Sequence, residues 1–502
     1  MEAKELSSRC FKLIASAFRE TGPAKIGKGF TRGLFDMTVF RLKLGSITPV
    51  FWIMQTQEAL DAIFADELRG RTRPAIVLGT KSSDFDRLKG AFIIFLDPDK
   101  LARLSSDAQV RALILQSAQD QLLLTVLSPY ETFSAVYGDQ FFGRDAEIAK
   151  IRSEPDRNFV LYGARRMGKT SLLKQLEHLY NHEIFSVDPN AENYGKAFFI
   201  SCLGIHSLDG FQEVLLTNLD PSKYWTGELR KLMSKGRHIS KDVATLSAFR
   251  AVSGRSGRRI ILLLDEIDVL LDSPEKNKIL DFLRRLPDMR YRVIMAGYKS
   301  VWRETQRQSG PLWNLAHPLY IAQFGKEDSL ALIQKPMNSL GIELEDGIAA
   351  RIYKDTGGIP NYMQHYCSVI VSEFISKGKK IAGDIFDSIH SHPDFDTIVM
   401  SAFHENVQEP LGKFISYHLA SINIQDFTIN ELIKFARTKG IKHLDYDHLR
   451  SSLDYLVTMG FVQTAGESTY RFVAPIILDQ LRKRDLKSNL NSVISELKSG
   501  IT

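Results

Sequence analysis

Short apolar runs separated by amphipathic stretches recur through the middle of the chain. The apolar runs predict five β-strands, at residues 158–162, 197–201, 260–264, 292–296 and 318–321. The stretches between them have helical periodicity, and this alternation is typical of a doubly wound parallel sheet with right-handed crossovers. The pattern therefore predicts an α/β domain at the centre of the chain.

The flanking segments have patterns of their own. The amino-terminal part predicts strands at residues 39–44, 50–54, 75–78 and 91–96 and helices at residues 57–68 and 108–121. The carboxyl-terminal part is helical over residues 326–377 and ends with helices at 427–437 and 446–459 and a hairpin near 461–472. These patterns predict a small α/β domain (1–127), a turn-rich linker (128–140), an α/β core (141–325), a helical region (326–400), a mixed domain (401–485) and a tail (486–502).

Composition adds a few limits to this picture. The chain of 502 residues is too long for one hydrophobic core, and its net charge of +6 is mild for that length. Its three cysteines are far apart in sequence and suggest buried thiols in a reducing compartment. No apolar run approaches the roughly 18 residues that a membrane helix needs. We therefore expect a cytoplasmic protein without a membrane partner.

Four carboxylates of the amino-terminal part lie close together in sequence. Asp84, Asp86, Asp97 and Asp99 could be imagined as a metal cluster. Turn and helix-cap positions are the favoured interpretation, because aspartate is common at both. This part of the chain shows no recognisable nucleophile or nuclease constellation.

A phosphate-binding motif follows the first strand of the central domain. Residues 163–170 read GARRMGKT and match G-x-x-x-x-G-K-[ST] at each fixed position. Such a loop turns backbone N–H groups toward phosphates at the positive end of the next helix. Lys169 is expected at the β- and γ-phosphates, and the Thr170 hydroxyl at Mg²⁺. The predicted ATP-contacting set of this loop is Gly163, Ala164, Arg165, Arg166, Met167, Gly168, Lys169, Thr170 and Ser171.

A second motif lies about a hundred residues further on. An apolar strand ends in Asp265 and Glu266, at the sheet edge where the phosphates are expected. Asp265 can hold Mg²⁺, and Glu266 can polarise the water that attacks the γ-phosphate. Asp268 is either a third contributor or a helix N-cap. The two motifs together predict hydrolysis of ATP to ADP, with Lys169, Asp265 and Glu266 as the catalytic residues.

These motifs resemble those of AAA+-related STAND and archaeal-type P-loop ATPases, over about residues 141–481. The element at residues 141–147 (FFGRDAE) is similar to one that precedes the P-loop strand in this family, with Asp145 at the usual glutamate. The resemblance implies that Phe142, Gly143 and Arg144 help to line the adenine pocket. It also implies a helical lid at 326–400 and a winged-helix domain at 401–485.

The resemblance extends to residues that sense the nucleotide. Residues 293–299 look like the sensor-1 strand, which implies that Tyr298 or Lys299 faces the γ-phosphate. Pro360 belongs to a segment similar to the Gly-x-Pro element of the lid and would pack near the nucleotide. Arg303 and Arg307 are candidates for an arginine finger, although exposed surface arginines are an equal alternative.

Two departures from the family pattern affect these sensors. Asn361 and Tyr362 follow the lid proline, so the sensor-2 arginine of many AAA+ lids has no equivalent here. Ala474 and Pro475 occupy the stretch where many plant and animal relatives carry a His-Asp pair. Phosphate sensing through the carboxyl-terminal domain is therefore not predicted from sequence.

The leading functional hypothesis is an ATP-driven molecular switch. The resemblance implies prokaryotic signalling or antiviral defence, with nucleotide state controlling a homo-oligomer or a partner effector protein. The runner-up is a DNA-associated AAA+ ATPase, similar to origin-recognition or transposition loaders. The predicted second helix of the winged-helix domain carries Asp445, Asp447 and Asp454 against Arg450, which disfavours DNA. A small-molecule kinase is a weaker third hypothesis.

Overall fold

The computed structural model describes most of the chain. The described residues are 3–27, 30–36, 50–54, 75–78, 93–121, 128–183, 194–219, 241–256, 259–307, 310, 312, 314–339, 342–377, 385–466 and 468–499. They group into two compact units. The first comprises Met1–Thr132, Ala331–Ala349 and Gln364–Ile389, and the second Phe133–Leu330, Ala350–Met363 and His390–Thr502.

The helices and strands of the described residues are numbered here in chain order. The strands are β1 (Arg19–Gly27), β2 (Phe30–Asp36), β3 (Val50–Met54), β4 (Ala75–Leu78), β5 (Ile93–Leu96), β6 (Phe159–Tyr162), β7 (Tyr194–Ser201), β8 (Arg259–Asp265), β9 (Tyr291–Ala296), β10 (His317–Tyr320), β11 (Asp426–Thr428), β12 (Val462–Thr464) and β13 (Thr469–Phe472). The helices are α1 (Ala3–Ala17), α2 (Pro98–Ala102), α3 (Asp107–Gln121), α4 (Asp145–Ser153), α5 (Lys169–His178), α6 (Leu208–Leu219), α7 (Lys241–Ser256), α8 (Asp268–Leu271), α9 (Lys276–Arg285), α10 (Lys299–Gln306), α11 (Lys326–Ser339), α12 (Ile348–Thr356), α13 (Pro360–Lys377), α14 (Ile385–Ser391), α15 (Pro393–Asn406), α16 (Pro410–Ile422), α17 (Ile429–Thr438), α18 (Tyr446–Thr458), α19 (Pro475–Arg482) and α20 (Leu486–Lys498).

The first unit contains a mixed sheet in the order β1-β2-β3-β4-β5. The first three strands pair antiparallel, and the last three pair parallel. Strands β3, β4 and β5 and helix α3 agree with the sequence predictions, whereas α1, β1 and β2 were not predicted. The strand predicted at 39–44 and the helix predicted at 57–68 lie outside the described residues.

One of the carboxylates discussed as a metal ligand has a structural role. The Asp97 side chain accepts hydrogen bonds from the backbone N–H groups of Asp99 and Lys100 and caps α2. Asp84 and Asp86 lie outside the described residues. Within the part of the chain that the structure describes, no cluster of three or more metal-ligating side chains occurs.

The second unit is built on a parallel five-stranded sheet in the order β10-β6-β9-β8-β7. All five strands coincide with the apolar runs, which confirms the predicted parallel α/β core. Strand β8 is buried along nearly its whole length, and strand β9 along all of it. The Phe282 ring packs edge to face with those of Phe211 and Phe249, and all three belong to the hydrophobic core formed with residues of β8 and β9. Parallel strands buried in this way place their carboxyl ends along one edge, where a site can form.

A buried arginine fastens the opposite edge of this sheet. Arg292 of β9 is 1% exposed, and its guanidinium donates to the carbonyl oxygens of Ile151, Glu154 and Arg157. It also donates to the Tyr180 hydroxyl. A buried charge is tolerated when its donors are paired in this way, so this arginine is structural.

The carboxyl-terminal part of the second unit holds a three-stranded antiparallel sheet in the order β11-β13-β12. The predicted hairpin corresponds to β12 and β13. The helix predicted at 427–437 begins two residues later, because Phe427 is in β11 and Thr428 caps α17 in a capping box with Glu431. Among the described residues, no helix is both long and apolar enough to span a membrane.

Candidate functional site

The loop between β6 and α5 carries the phosphate-binding motif. Three of its residues have positive φ angles: Gly163 (149°), Arg166 (69°) and Gly168 (86°). A side chain at Gly163 would place its Cβ 2.5 Å from the Ile321 carbonyl oxygen, so the close approach of this loop to the end of β10 requires glycine. The loop therefore folds over the carboxyl edge of the sheet and leads directly into the amino terminus of α5.

Lys169 is the first residue of α5, and its side chain folds back under the loop. Its Nζ donates to the carbonyl oxygens of Gly163 and Ala164, at 2.9 Å and 2.7 Å. Burial lowers the pKa of Lys169 to about 8, while the carboxylates of Asp268 and Asp265 act in the opposite direction. A partly buried ammonium group beneath the loop is a suitable counter-charge for phosphate.

Thr170 and Asp265 form the part of the site suited to a cation. The Thr170 hydroxyl donates to Asp265 Oδ2 at 2.7 Å. Burial raises the pKa of the Asp265 carboxyl, although bonds from Thr170 and from the Glu266 N–H oppose this shift. A hydroxyl and a poorly solvated carboxylate are the oxygen donors that Mg²⁺ prefers, so these two side chains fit the ion.

Glu266 follows Asp265 in a left-handed backbone conformation, with a φ of 54°. This conformation is uncommon for residues other than glycine, and such strain is concentrated at functional sites. The Glu266 side chain is exposed at the carboxyl end of β8. Its position leaves the carboxylate accessible to water beside the phosphate-binding loop.

The tip of β9 brings one of the two candidate sensors to the loop. The Tyr298 ring centroid is 5.9 Å from Lys169 Nζ and 5.7 Å from Arg165 Cζ. Lys299 is directed elsewhere, because its Nζ lies 3.9 Å from a carboxylate oxygen of Glu409. Of the two residues, Tyr298 is thus the one that lies next to the phosphate-binding loop.

The element before the P-loop strand supports the loop from behind. Arg144 is buried, with a φ of 71°, and donates to the carbonyl oxygens of Met167 and Ala322. Its Cζ lies 4.6 Å from the Phe324 ring centroid, and burial lowers its pKa. A Cβ on Gly143 would lie 3.1 Å from the same ring. Arg144 therefore braces the P-loop against the end of β10, while Phe142 is half-buried next to them.

The remaining predicted residues are distributed around this centre. Arg303 is exposed on α10, and Arg307 is exposed and paired with Glu304 at 3.0 Å. Ser171 faces the segment predicted as a linker, since its hydroxyl accepts from the Val136 N–H at 3.2 Å. Pro360 is buried at the start of α13.

Contacts from outside the α/β core reach the P-loop, and the sequence analysis missed them. The Arg165 N–H donates to Asn406 Oδ1 at 3.1 Å, and the Arg165 guanidinium pairs with Glu405 at 3.2 Å. The Arg166 guanidinium donates to Ser401 Oγ at 3.1 Å. We call this set the loop–α15 contact. Asn406 is 1% exposed, so its amide is committed to these partners.

A fourth bond links the loop to the predicted lid element. The Arg166 guanidinium also donates to Asn361 Oδ1 at 3.0 Å, and Asn361 directly follows Pro360. In this bond the arginine belongs to the phosphate-binding loop and the acceptor belongs to α13. The paired arginines of the motif were the one available signal for these contacts.

Comparison with known proteins places this site in context. Residues 141–365 match the model of a family described as an ATPase domain predominantly from Archaea. No curated protein sequence matches the chain significantly. The structure of the ORC2 protein of Aeropyrum pernix, in ADPNP and ADP complexes, is 12% identical, with 71% of this chain and 94% of that chain covered and a TM-score of 0.50. The Walker-type ATPase of Pyrococcus abyssi is 14% identical over 70% of this chain and 99% of its own, with a TM-score of 0.49.

The family match spans the P-loop, the Asp-Glu strand and the tip of β9, and the Aeropyrum pernix structure shares the fold. These matches agree with a site in which the Lys169 side chain lies under the loop, next to the Thr170–Asp265 pair. Residues 141–365 therefore match an ATPase-domain family and share the fold of a P-loop ATPase.

Proposed function

We propose that this protein is a STAND-type molecular switch that binds ATP with Mg²⁺ and hydrolyses it, so that the nucleotide controls self-assembly or binding of a partner protein. The observation that carries the proposal is the loop–α15 contact. Arg165 and Arg166, which lie within the phosphate-binding loop, are hydrogen-bonded to side chains far along the chain. A ligand at the loop can therefore bias the position of α15.

The chemistry follows from the side chains around the loop. Lys169 and the loop N–H groups would hold the phosphates of ATP, and Thr170 and Asp265 would hold Mg²⁺, which supplies charge stabilisation at the transferred phosphate. Glu266 is placed to accept a proton from the attacking water. The adenine would lie toward the Phe142–Arg144 side of the loop, as the family resemblance implies.

The switch would work by competition for one backbone donor. An N–H group makes one strong hydrogen bond, and the Arg165 N–H makes it to Asn406. A phosphate oxygen that takes this donor removes the buried Asn406 amide from its partner, which weakens the loop–α15 contact. The chain continues from α15 into the carboxyl-terminal helices and the three-stranded sheet. Release of α15 would therefore change the surface that these elements offer to other molecules.

The carboxyl-terminal fold supports this use over DNA recognition. We interpret α16–α18 with β11–β13 as a winged-helix domain, in which α18 takes the position of the second helix. The exposed side of α18 is acidic, and its Arg450 is paired with Asp454 at 3.1 Å. This arrangement repels phosphate backbones and leaves the domain free for protein contacts.

One observation favours a second candidate function, a DNA-associated ATPase. Exposed cations lie on α17 and the turn after it, and they are Lys434, Arg437, Lys439 and Lys442. A nucleic acid could contact this side of the domain through its phosphates, without base readout. The prokaryotic signalling or antiviral role implied by the family resemblance belongs to the first candidate.

The test is the mass of the Glu266→Gln variant by light scattering, with and without ATP and Mg²⁺, and with duplex DNA in a parallel run. The glutamine keeps the side-chain shape but cannot act as a base, so ATP stays bound and turnover decreases by about 100-fold or more. We expect a defined oligomer or an altered particle size with ATP alone. Assembly only with DNA would favour the second candidate. Undiminished phosphate release by the variant would show that Glu266 is not the base.

A further inference from the structure

Asp268 has a role that neither the cation site nor its own helix explains. Although it is the first residue of α8, its carboxylate points to the tip of the neighbouring strand β9. Oδ2 accepts from the Tyr298 N–H at 2.6 Å, and Oδ1 accepts from the Ser300 N–H at 2.7 Å and from the Val301 N–H at 3.4 Å. One side chain thus accepts from three backbone N–H groups at the start of α10.

The packing around this carboxylate leaves little freedom for the turn. A Cβ on Gly297 would lie 2.7 Å from Asp268 Oδ2 and 2.2 Å from a Val301 methyl carbon. The close approach of the chain to Asp268 at this position therefore requires glycine. The Tyr298 backbone, at φ −131° and ψ −111°, lies outside the regular helix and strand regions. A conformation of this kind persists only where surrounding contacts determine it.

The held turn presents Tyr298 to the phosphate-binding loop. Its ring lies beside Lys169 and Arg165, and its hydroxyl donates to the Glu405 carbonyl oxygen at 3.3 Å. Tyr298 therefore contacts both the phosphate-binding loop and the end of α15. The bonds to Asp268 fix the backbone position from which the Tyr298 side chain projects.

We propose that Asp268 is a positioning residue for ATP hydrolysis: by accepting hydrogen bonds from the N–H groups of Tyr298, Ser300 and Val301, it holds Tyr298 against Lys169 and the P-loop. The proposal rests on the proposed ATPase function of the same site. It assigns Asp268 neither to the cation nor to a proton-transfer step. A small displacement of a positioned group is sufficient to slow an enzyme by about 100-fold.

The experiment compares Asp268→Ala with Glu275→Ala. Glu275 is a matched control, because its Oε2 accepts from the Leu208 N–H at 2.8 Å and caps α6, a helix that does not carry the Tyr298 turn. Both variants lose a carboxylate that caps another helix, so we expect similar decreases in melting temperature. Only Asp268→Ala should lower kcat, by about 10- to 100-fold, with KM changed less than about threefold.

Two further variants separate positioning from a direct electrostatic effect on Lys169. Asp268→Asn keeps one acceptor oxygen but loses the charge, so an intermediate kcat is expected if position matters. In a Tyr298→Ala background, Asp268→Ala should cost little more activity, because both changes remove the same interaction. Equal losses in both backgrounds, or an unchanged kcat in Asp268→Ala, would overturn the proposal.

Hydrogen exchange separates this proposal from the ATPase function itself. The amides of Tyr298, Ser300 and Val301 should exchange faster in Asp268→Ala than in wild type, and at the wild-type rate in Glu275→Ala. Unchanged exchange in Asp268→Ala would overturn the positioning role. A wild-type protein that releases no phosphate, yet shows the expected exchange, would contradict the proposed hydrolysis and leave the placement of the turn established.

Discussion

Replacing Asn406 by alanine should increase the affinity of the protein for ATP. The side chain accepts from the Arg165 N–H at 3.1 Å and donates to the Ala402 carbonyl oxygen at 2.6 Å. Its backbone carbonyl also accepts from the Tyr455 hydroxyl at 3.0 Å, a bond that alanine preserves. The substitution thus removes the Asn406 bond of the loop–α15 contact and keeps the Arg165–Glu405 and Arg166–Ser401 interactions.

The magnitude follows from the bonds that are lost. Each net hydrogen bond contributes about 1 kcal/mol, and a buried group without its partner costs about 1–3 kcal/mol. We expect the loop–α15 contact to lose about 1–2 kcal/mol in the variant. If ATP must displace Asn406 from the Arg165 N–H, the variant no longer opposes binding with this free energy. Its dissociation constant for ATP should then be about 5- to 30-fold lower than that of the wild type.

The assay is equilibrium binding of a fluorescent ATP analogue with Mg²⁺, compared with urea unfolding of the same variants. Asn158→Ala is the matched control, because Asn158 also makes two side-chain bonds, to the Leu315 carbonyl oxygen and from the Val293 N–H. It lies before β6, at the sheet edge opposite the P-loop. We expect Asn158→Ala to lose stability without a change in affinity. Unchanged or weaker ATP binding by Asn406→Ala would refute the competition.

Two further predictions concern pH. The affinity for ATP should decrease as the pH rises above about 8, because the pKa of Lys169 is lowered to about 8 and only the charged form attracts phosphate; a constant dissociation constant in titrations from pH 7 to 9.5 would contradict this. Burial raises the pKa of Asp355 from 3.8 to about 6, so the folded protein binds more protons than the unfolded chain between these two pH values. Stability therefore decreases as the pH rises through this window and stays lower above it. Asp355→Asn should therefore stabilise the protein by about 1 kcal/mol at pH 8, after allowance for solvent screening, and by nothing at pH 4, as measured by urea unfolding. An equal gain at both pH values would show that the ionisation of Asp355 is not the cause.

The strands and motifs that build the ATPase domain were predictable because they depend on local order in the sequence. A run such as IILLLD before Glu266 is long enough and apolar enough to define a buried parallel strand by itself. The P-loop has fixed spacing for a steric reason, which Gly163 shows through its distance to the Ile321 carbonyl oxygen. A steric constraint of this kind fixes the residue type at a given position of the motif, so it can be read from the sequence.

Elements with mixed composition were not predictable in this way. Strand β1 contains Gly22, Pro23 and Gly27 among charged residues, so it has neither the alternation nor the β-branched content of a typical strand. The start of α17 was misplaced, although Thr428 and Glu431 carry the spacing of a capping box. In that case the signal was present, and the apolar Phe427 was assigned to the helix instead of to β11.

The long-range contacts at the P-loop lay beyond any local pattern. Asn406 is separated from Arg165 by 241 residues, and an asparagine at the end of a helix is usually a cap or a surface residue. Nothing in its neighbourhood indicates that its side chain meets a loop amide. Contacts of this type depend on the packing of whole elements, so they become visible only in three dimensions.

The strength of these contacts sets what a nucleotide can do. The exposed Arg165–Glu405 pair contributes about 0–1 kcal/mol, and the three bonds to Asn361, Ser401 and Asn406 contribute about 1 kcal/mol each. The total is about 3–4 kcal/mol. A two-state equilibrium needs roughly 5.5 kcal/mol to go from 1:99 to 99:1, so the total is somewhat less than a complete switch requires. A ligand that replaces all four interactions at the loop therefore has enough differential free energy to shift most of the population. One that replaces only the Asn406 bond changes the ratio by about fivefold and leaves the other contacts in place. ATP and ADP differ at the γ-phosphate. They can shift this equilibrium to different extents only if that phosphate reaches the hydrogen-bond donors of Arg165 and Arg166.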